Sequence, residues 1–395
     1  MDRVTDLSPI AGLQAATADL DPPLAALDLA ALRANAADLV RRARGVPIRV
    51  ASKSVRCRGV LEEVLGPELT RAGGFAGVMS YSLREAVWLA RRGARDILLG
   101  YPSVDRAALA ELGADETLRE AITLMVDDTA QLDLIKTAVG GERAAPRVCL
   151  DVDASLRIGP LHLGVRRSPI RTPEQAARLA RAAIDRGFRV VGVMTYEAQI
   201  AGLPDTNPAV RLVKRASAAE IGARRRQVLD AVRSVAGELE IVNSGGSGSV
   251  EVSVAAPEVT EVTAGSGLYV PTLFDGYRAF TPRPALFFAL PVLRRPAPGI
   301  ATAFAGGYIA SGPAGQSRVP KPVWPKGLRL IGTEGAGEVQ TPLRGADGLG
   351  VGDWVWFRHA KAGELCERFD SIHFVDTDGT RTTVPTYRGE GRNFG

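Results

Sequence analysis

The chain has 395 residues, of which 46% are apolar and 24% are charged, and its formal net charge at pH 7 is +5. This length predicts two domains, or one large barrel with a smaller unit, and the composition argues against a mainly disordered chain. No apolar run approaches the ~20 residues of a membrane-spanning helix, and the first residues lack the order of a signal peptide. We therefore expect a cytoplasmic protein without a membrane partner.

The cysteines and arginines exclude further classes of protein. Cys57, Cys149 and Cys366 are odd in number and far apart, which fits neither a disulfide framework nor a CxxC metal site. The arginines lie in segments with helical patterns and are not interleaved with aromatic residues. We therefore expect no nucleic-acid partner.

The first two thirds of the chain predict an α/β barrel. Residues 1–30 are predicted to form an entry segment that packs on a C-terminal β-domain, and an amphipathic helix follows from Leu29. From residue 31 to 285, apolar runs alternate mostly with helical patterns, apart from a long polar loop before a helix near residues 218–235. The apolar runs lie at 47–51, 77–80, 96–100, 123–126, 147–152, 189–194, 240–242 and 259–262. Eight such runs favour a closed (β/α)8 TIM-like barrel over an open sheet.

The helical alternation stops near residue 285. From residue 286 to 395, Gly, Pro, Thr and Val are frequent, and the strand-like segments predict an all-β C-terminal domain. The stretch Asp376-Thr377-Asp378-Gly379 is typical of a hairpin turn.

Lys53 follows the first apolar run, at the strand end where such barrels place catalytic residues. Partial shielding from water disfavours the ammonium form, and the free amine is the nucleophile that a Schiff base requires. The alternative is a lysine whose ammonium reaches solvent from a strand end.

Two glycine-rich loops follow the seventh and eighth runs. The first contains Ser244, Gly246 and Ser247, and the second contains Gly265 and Ser266. Main-chain amides in such loops converge on anions, and these barrels bind phosphate after the same two strands. The alternative is that the glycines only form turns.

Two further residues follow barrel strands. Arg157 is expected above the barrel mouth, or paired with Asp153 in a purely structural role. Tyr196 is expected to stack against a flat ligand or to pack, and either it or Glu197 could transfer protons. A lysine opposite a phosphate cradle suits pyridoxal 5'-phosphate, whose aldehyde forms the Schiff base.

With these features the chain resembles the fold-type III pyridoxal-phosphate enzymes, specifically the D-threonine aldolase and D-serine dehydratase group, which join an alanine-racemase-like barrel to a β-domain. The resemblance covers the chain from about residue 25 to its end. It is carried by the strand with Lys53, by Asp153 with Arg157-Ile158-Gly159, by Gly245-Gly246-Ser247, by Gly265-Ser266 with Tyr269 and Asp275, and by residues 351–361.

The resemblance implies roles for these residues. Lys53 would carry the cofactor as a Schiff base, Arg157 would face the ring oxygen of the cofactor, and the two glycine loops would hold its phosphate. It also implies a small amino-acid substrate and a homodimer.

The chain departs from the family pattern at two places. His359 matches a divalent-metal ligand, but the partner position two residues later holds Lys361, whose ammonium cannot ligate a metal. Either Glu364 or Cys366 supplies ligands, or no metal binds and Lys361 takes the place of the metal charge. Gln199 stands where the family often has histidine, so the proton acceptor would be His359 or Glu197.

These observations predict a pyridoxal-phosphate-dependent lyase that cleaves or forms the Cα–Cβ bond of a small β-hydroxy amino acid, with Lys53, Tyr196, His359 and Lys361 as catalytic residues. Three alternatives remain: a dehydratase or deaminase of D-serine-like amino acids, a pyridoxal-phosphate carrier without turnover, and a sugar-phosphate barrel enzyme without this cofactor. His162 and His373 are expected to be structural.

Overall fold

The computed structural model describes residues 8–140, 146–205, 207–278, 280–281 and 283–395. Residues 1–7, which belong to the predicted entry segment, lie outside this part. The chain divides into two compact units. We call them the barrel unit, which contains the described residues within 39–53, 61–265 and 394–395, and the β-unit, which contains the described residues within 1–38, 54–60 and 266–393.

The strands up to residue 265 are β1 (Leu24–Asp28), β2 (Ile48–Ala51), β3 (Arg71–Ala72), β4 (Phe75–Ser80), β5 (Ile97–Leu99), β6 (Ile122–Val126), β7 (Arg147–Asp151), β8 (Leu156–Ile158), β9 (Leu161–Leu163), β10 (Arg189–Thr195), β11 (Ile241–Ser244) and β12 (Glu261–Ala264). The later strands are β13 (Leu286–Ala297), β14 (Ile300–Phe304), β15 (Lys321–Trp324), β16 (Arg329–Leu330), β17 (Gln340–Arg344), β18 (Trp354–Arg358), β19 (Ser371–Val375) and β20 (Arg381–Pro385).

The helices are α1 (Ser8–Ala16), α2 (Leu29–Ala43), α3 (Arg58–Leu65), α4 (Leu83–Ala90), α5 (Arg106–Ala114), α6 (Glu116–Ala121), α7 (Thr129–Val139), α8 (Pro173–Asp185), α9 (Ala198–Ala201), α10 (Pro208–Ala236), α11 (Val250–Ser253) and α12 (Ser266–Tyr269). Short 3-10 turns occupy Ser52–Ser54, Thr272–Gly276 and Leu365–Glu367. Among the described residues, no helix combines the length and the apolarity needed to cross a membrane.

Eight parallel strands close the barrel in the order β2-β12-β11-β10-β7-β6-β5-β4, and β4 pairs with β2 again. These are the eight apolar runs of the sequence, so the predicted TIM-like barrel is confirmed. Parallel strands place all their carboxyl ends at one rim, where the loops carry the residues discussed below.

Capping side chains set the starts of several barrel helices. Ser82, Asp105, Asp128 and Thr172 each accept a hydrogen bond from a main-chain amide in the first turn of α4, α5, α7 and α8. The helix predicted near residues 218–235 is part of the longer α10, so that prediction was too short. Asn207 caps α10 and Pro208 occupies its first position, which is a strong start signal.

The strand that precedes Lys53, β2, is anchored by a buried ion-pair group. Arg49 in β2 is 2% exposed, and its guanidinium donates to Asp96 at 2.8 Å and to Glu261 at 2.6 Å. Glu261 lies on the paired strand β12. A buried arginine needs such partners, and removing one would leave an uncompensated charge. The ion pairs therefore link β2 to its neighbour β12 and to the residue that precedes β5.

The β-unit is built on one sheet with the order β16-β17-β14-β13-β1-β19-β20, in which β18 also pairs with β13 and β15. β1 from the start of the chain lies between β13 and β19. A separate β-sheet domain is confirmed. The hairpin predicted at Asp376–Gly379 joins the antiparallel strands β19 and β20, and Gly379 has the positive φ of +83° that such a turn requires.

Candidate active site

Lys53 lies directly after β2, in the 3-10 turn Ser52–Ser54, and its side chain is exposed. The hydroxyl of Ser52 donates to the carbonyl of Met79 at 3.0 Å and fixes this turn on the neighbouring strand. The ammonium of Lys53 donates to the hydroxyl of Tyr101 at 2.8 Å. Tyr101 follows β5 and lies outside the motifs of the sequence.

The pKa of Tyr101 reflects this contact. Burial by itself raises the pKa, but the charge of Lys53 and its hydrogen bond outweigh burial, so the pKa of Tyr101 lies below its usual value. Tyr101 therefore releases a proton more readily than an ordinary tyrosine, and it does so beside the amine of Lys53.

Arg167 lies over two tyrosines of the site. Its guanidinium carbon is 5.4 Å from the centre of the Tyr101 ring and 5.4 Å from the centre of the Tyr196 ring. The next residue, Ser168, is buried, and its hydroxyl donates to the carbonyl of Asp151 at 2.7 Å. The hydrogen bond of Ser168 thus holds this segment against the end of β7. The guanidinium of Arg167 lies near the rings of both Tyr101 and Tyr196.

Tyr196 follows β10, and burial raises its pKa to about 12. Its phenol stays protonated near neutral pH. Gly246 packs against this ring, because a Cβ atom at position 246 would lie 3.4 Å from the Tyr196 ring and 2.9 Å from the Cβ of Ala201. The first glycine loop therefore lies directly beside Tyr196.

Glu197 is 1% exposed, and its carboxylate accepts hydrogen bonds from the first glycine loop. Its carboxylate accepts hydrogen bonds from the amide of Gly245 at 3.2 Å and from three hydroxyls of the loop and α11. These hydroxyls belong to Ser244, Ser249 and Ser253, at 3.0, 3.1 and 2.6 Å. With two donors on each oxygen, the geometry favours a structural role for Glu197 over the hypothesis that it is the catalytic base.

The two glycine loops contact each other within the barrel unit. The amide of Gly265 donates to the hydroxyl of Ser247 at 3.2 Å, and Arg42 donates to the carbonyl of Ser247 at 2.8 Å. The hydroxyl of Ser244 donates to Glu197 and also accepts a hydrogen bond from Arg225 at 3.1 Å. Ser266 begins α12 and belongs to the β-unit.

Arg157 does not take part in this chain of contacts. It lies in β8 and donates to Asp153 at 2.7 Å, and its side chain is 46% exposed. Asp153 also accepts from Arg171 at 3.1 Å. Of the two roles predicted for Arg157, this geometry matches the structural pairing with Asp153.

Gln199 stands where the family often has histidine. Its side-chain amide donates to the carbonyl of Ala154 at 2.7 Å.

Asp151 is the last residue of β7 and is 8% exposed. Burial is the largest influence on its carboxyl, and repulsion from Asp127 adds to it, so the pKa rises from 3.8 to about 7. The charge of Arg167 acts in the opposite direction. Burial also raises the pKa of Asp127. Burial therefore favours the protonated form of both carboxyls relative to exposed aspartates.

We expect a pH-dependent stability from Asp151. Because its folded-state pKa exceeds that of the unfolded chain, the folded protein retains a proton that the unfolded chain releases. Its contribution to stability therefore falls from about pH 4 to about pH 7 and then levels off. Asp151→Asn should gain up to about 4 kcal/mol relative to wild type between pH 4 and pH 8. Urea unfolding at several pH values measures this, and parallel pH curves for the two proteins would contradict it.

His359 and Lys361 lie in the β-unit, beside a cavity of about 170 Å³ that Tyr308, Glu364 and Arg368 also line. His359 is 3% exposed, and its ring nitrogens have no hydrogen-bond partner among the described residues. Burial, followed by the charge of Arg358, lowers the pKa of His359 to about 3. The main chain of Leu286 has a smaller effect that raises this pKa. His359 is therefore a neutral imidazole.

The donor set around His359 does not fit a divalent cation. Lys361 donates to the hydroxyl of Ser311 at 3.3 Å, and the carboxylate of Glu364 accepts from the Ser311 amide. The buried thiol of Cys366 contacts the hydroxyl of Tyr269 at 3.9 Å. Throughout the described ranges, no three His, Cys, Asp or Glu side chains are grouped as metal ligands.

The other two histidines occupy structural positions. His162 lies in β9 and contacts the carbonyl of Val165 at 3.3 Å. His373 lies in β19 and contacts the hydroxyl of Thr383 on the paired strand at 3.0 Å.

Comparison with known proteins identifies the barrel. Residues 27–272 match the family model described as alanine racemase, N-terminal domain. The chain belongs to this family. The predicted relationship to the fold-type III pyridoxal-phosphate enzymes is confirmed, and the alternative of a sugar-phosphate barrel unrelated to them is wrong.

Three relatives of this alanine-racemase-type chain extend the comparison. A D-threonine aldolase from Arthrobacter sp. is 27% identical over 289 residues, which are 71% of this chain and 70% of the relative. The crystal structure of D-threonine aldolase from Filomicrobium marinum has a TM-score of 0.76 at 21% identity, covering 94% of this chain and 96% of that one. D-threo-3-hydroxyaspartate dehydratase from Delftia sp. HT23 has a TM-score of 0.71 at 22% identity, covering 93% and 97%. Chains of this fold therefore include both an aldolase and a dehydratase.

The family implies pyridoxal phosphate, and the residues of the barrel unit fit it. Lys53 offers an exposed amine at a strand end, Tyr196 offers an aromatic ring, and the glycine at position 246 lets the first glycine loop approach that ring closely. The predicted residues Lys53, Tyr196 and Gly246 are thus brought together through Tyr101 and Arg167. These two were missed because each lies in a loop whose sequence carries no motif.

We expect Gly246→Ala to weaken cofactor retention. Its Cβ would meet Ala201 at 2.9 Å, so the loop or the Tyr196 ring must move, which typically costs ~1–3 kcal/mol. The dissociation constant for pyridoxal phosphate should rise by about tenfold or more. Gly222→Ala is the control, because position 222 lies in α10 with open space around it. Equal cofactor affinity in both variants would contradict the expectation.

Proposed function

We propose that this protein is a pyridoxal-phosphate-dependent lyase that cleaves or forms the Cα–Cβ bond of a small D-β-hydroxy amino acid. The observation that carries this proposal is the contact between Lys53 and Tyr101 at 2.8 Å, beside Arg167 and Tyr196 at the barrel mouth. It brings an amine, a proton-transferring phenol, a cation and an aromatic ring to one rim.

The barrel residues would hold the cofactor in distinct ways. Lys53 would bind its aldehyde carbon, Tyr196 would lie against its ring, and the loop around Gly246 and Ser247 would take its phosphate. When bound, pyridoxal phosphate supplies an electron sink for the electron pair left on Cα. The remaining chemistry depends on protons that the chain itself must transfer.

Tyr101 is the residue that we assign to proton transfer at Lys53. Its phenol oxygen already accepts a hydrogen bond from the ammonium of Lys53, and its lowered pKa makes it a stronger acid than an ordinary tyrosine. Tyr196 keeps its proton because its pKa is raised to about 12, so it acts as a hydrogen-bond donor and a stacking surface. These opposite shifts separate the roles of the two phenols.

The substrate class is supported by the relatives. Two of the relatives above are D-threonine aldolases and another is a D-threo-3-hydroxyaspartate dehydratase, and both names denote action on a D-amino acid with a hydroxyl on Cβ. Cleavage of Cα–Cβ is our first proposal, and loss of the hydroxyl with later release of ammonia is the second. The predicted catalytic roles of His359 and Lys361, and the predicted homodimer, remain untested.

Product analysis decides between these reactions. Purified protein with pyridoxal phosphate should convert D-threonine into glycine and acetaldehyde, and L-threonine should not react. D-Serine and D-threo-3-hydroxyaspartate are tested in parallel, with assays for ammonia and keto acid. Ammonia and keto acid without glycine would establish the dehydratase instead. A normal ~420 nm cofactor band without any product would support the carrier alternative.

A further inference from the structure

In the described part of the chain, the guanidinium of Arg167 has no hydrogen-bond partner. Its guanidinium lies 5.4 Å from the ring centres of Tyr101 and Tyr196, and Asp151 lies close enough to influence it electrostatically. Other arginines of the same loop are engaged, because Arg157 and Arg171 both donate to Asp153. The donors of Arg167 therefore remain available.

The segment around Arg167 is held more firmly than an ordinary surface loop. The hydroxyl of Ser168 donates to the carbonyl of Asp151, and it also accepts from the amide of Ile170 at 3.0 Å. The amide of Asp153 donates to the carbonyl of Ile170 at 2.8 Å. Two aromatic rings and this clamp restrict the arginine, so less conformational entropy is lost when a ligand binds.

The distance between the amine of Lys53 and the guanidinium of Arg167 indicates the class of ligand that could reach both groups. The amine of Lys53 and the guanidinium of Arg167 are each 5.4 Å from the centre of the Tyr101 ring, so they lie within about 11 Å of each other. A guanidinium matches a carboxylate with two parallel hydrogen bonds. An α-amino acid held through its nitrogen near Lys53 carries its carboxylate on the adjacent carbon.

We infer that Arg167 binds the α-carboxylate of the amino-acid substrate. This inference rests on the proposed function and extends it with a residue outside the motifs of the sequence. It assigns the anion-binding role at this rim to Arg167, whereas Arg157 is paired with Asp153. Another anionic oxygen of the same chemistry is the ring oxygen of the cofactor, and the experiment separates the two.

The test compares a carboxylated ligand with its amine analogue. The holoenzyme is titrated with D-threonine and with 1-amino-2-propanol, which lacks the carboxylate, and the perturbation of the ~420 nm band is followed. Wild type should prefer D-threonine by about 10- to 100-fold, the range expected for charge-assisted hydrogen bonds. In Arg167→Gln the preference should fall to about threefold or less, and Arg167→Lys should be intermediate.

KM for D-threonine should rise in parallel with this lost preference, while the dissociation constant for pyridoxal phosphate and the band maximum stay unchanged. The control is Arg166→Gln, since Arg166 is an exposed neighbour that contacts His162 at 3.5 Å. If Arg167→Gln does not fold, Arg167→Lys provides the comparison, because it keeps the charge but loses the two parallel donors, and its preference for D-threonine should still fall below that of wild type.

Three results would overturn the inference. Retention of the full preference for D-threonine in Arg167→Gln removes the carboxylate role. A shifted band or weakened cofactor binding with the preference intact assigns Arg167 to the cofactor ring oxygen instead. Wild-type protein that neither forms the band nor responds to D-threonine refutes the proposed function itself, and this inference with it.

Discussion

Lys53→Ala should abolish turnover and remove the covalently held cofactor. Without the amine there is no nucleophile at the end of β2, and Tyr101 loses its hydrogen-bond donor at 2.8 Å. We expect kcat to fall by at least about a thousandfold, as for loss of a nucleophile and its proton partner. The ~420 nm band should be absent after unbound cofactor is removed by gel filtration.

Lys53→Arg sharpens this test because it keeps a positive charge beside Tyr101 but cannot form the covalent link. It should be as inactive as Lys53→Ala. Lys136→Ala, at an exposed lysine of α7, is the matched control and should keep both the band and the activity. A persistent band in Lys53→Ala would show that another lysine carries the cofactor.

Glu197→Ala should have the largest effect on the architecture of the site. It leaves the amide of Gly245 and the hydroxyls of Ser244, Ser249 and Ser253 without their common acceptor. Removing one partner of such a buried, charge-assisted group destabilises a protein by about 3 kcal/mol or more. Arg225, whose pKa is lowered by burial but supported by the charge of Glu197, would lose that support.

Hydrogen exchange measures this effect at the loop itself. Peptides covering residues 244–253 should exchange about 100-fold faster in Glu197→Ala, and cofactor retention should fall with them. Glu197→Gln should be intermediate, because it keeps the shape but loses the charge. Glu238→Gln is the control, since Glu238 has a side chain that is 94% exposed. Unchanged exchange in Glu197→Ala would contradict the structural role given to this carboxylate.

Much of the fold follows from local patterns. Each apolar run has the length of a buried strand, and several strand-to-helix loops end in a capping residue such as Ser82 or Asp128. Lys53 could be placed at the barrel rim because a residue just after a parallel strand lies at its carboxyl end. The glycine loops could be placed for the same reason. These inferences need only neighbours in sequence.

The partners of these residues could not be predicted in the same way. Arg157 matches a family motif, yet it pairs with Asp153, whereas Arg167, without a motif, lies over Tyr101 and Tyr196. Glu197 appeared as a candidate base, and only the folded structure shows four donors around it. Loop residues have no periodicity that fixes their direction.

The sequence by itself therefore determined the barrel, the β-unit and the position of Lys53, because hydrophobic periodicity and strand polarity are local properties. The tertiary structure decided which side chains surround that lysine. Tyr101 and Arg167 lie 48 and 114 positions beyond it in the chain, and they meet at one rim only because β2 pairs with both β4 and β12 and closes the barrel. Closure of the sheet, rather than any motif, brings the chemistry of this site together.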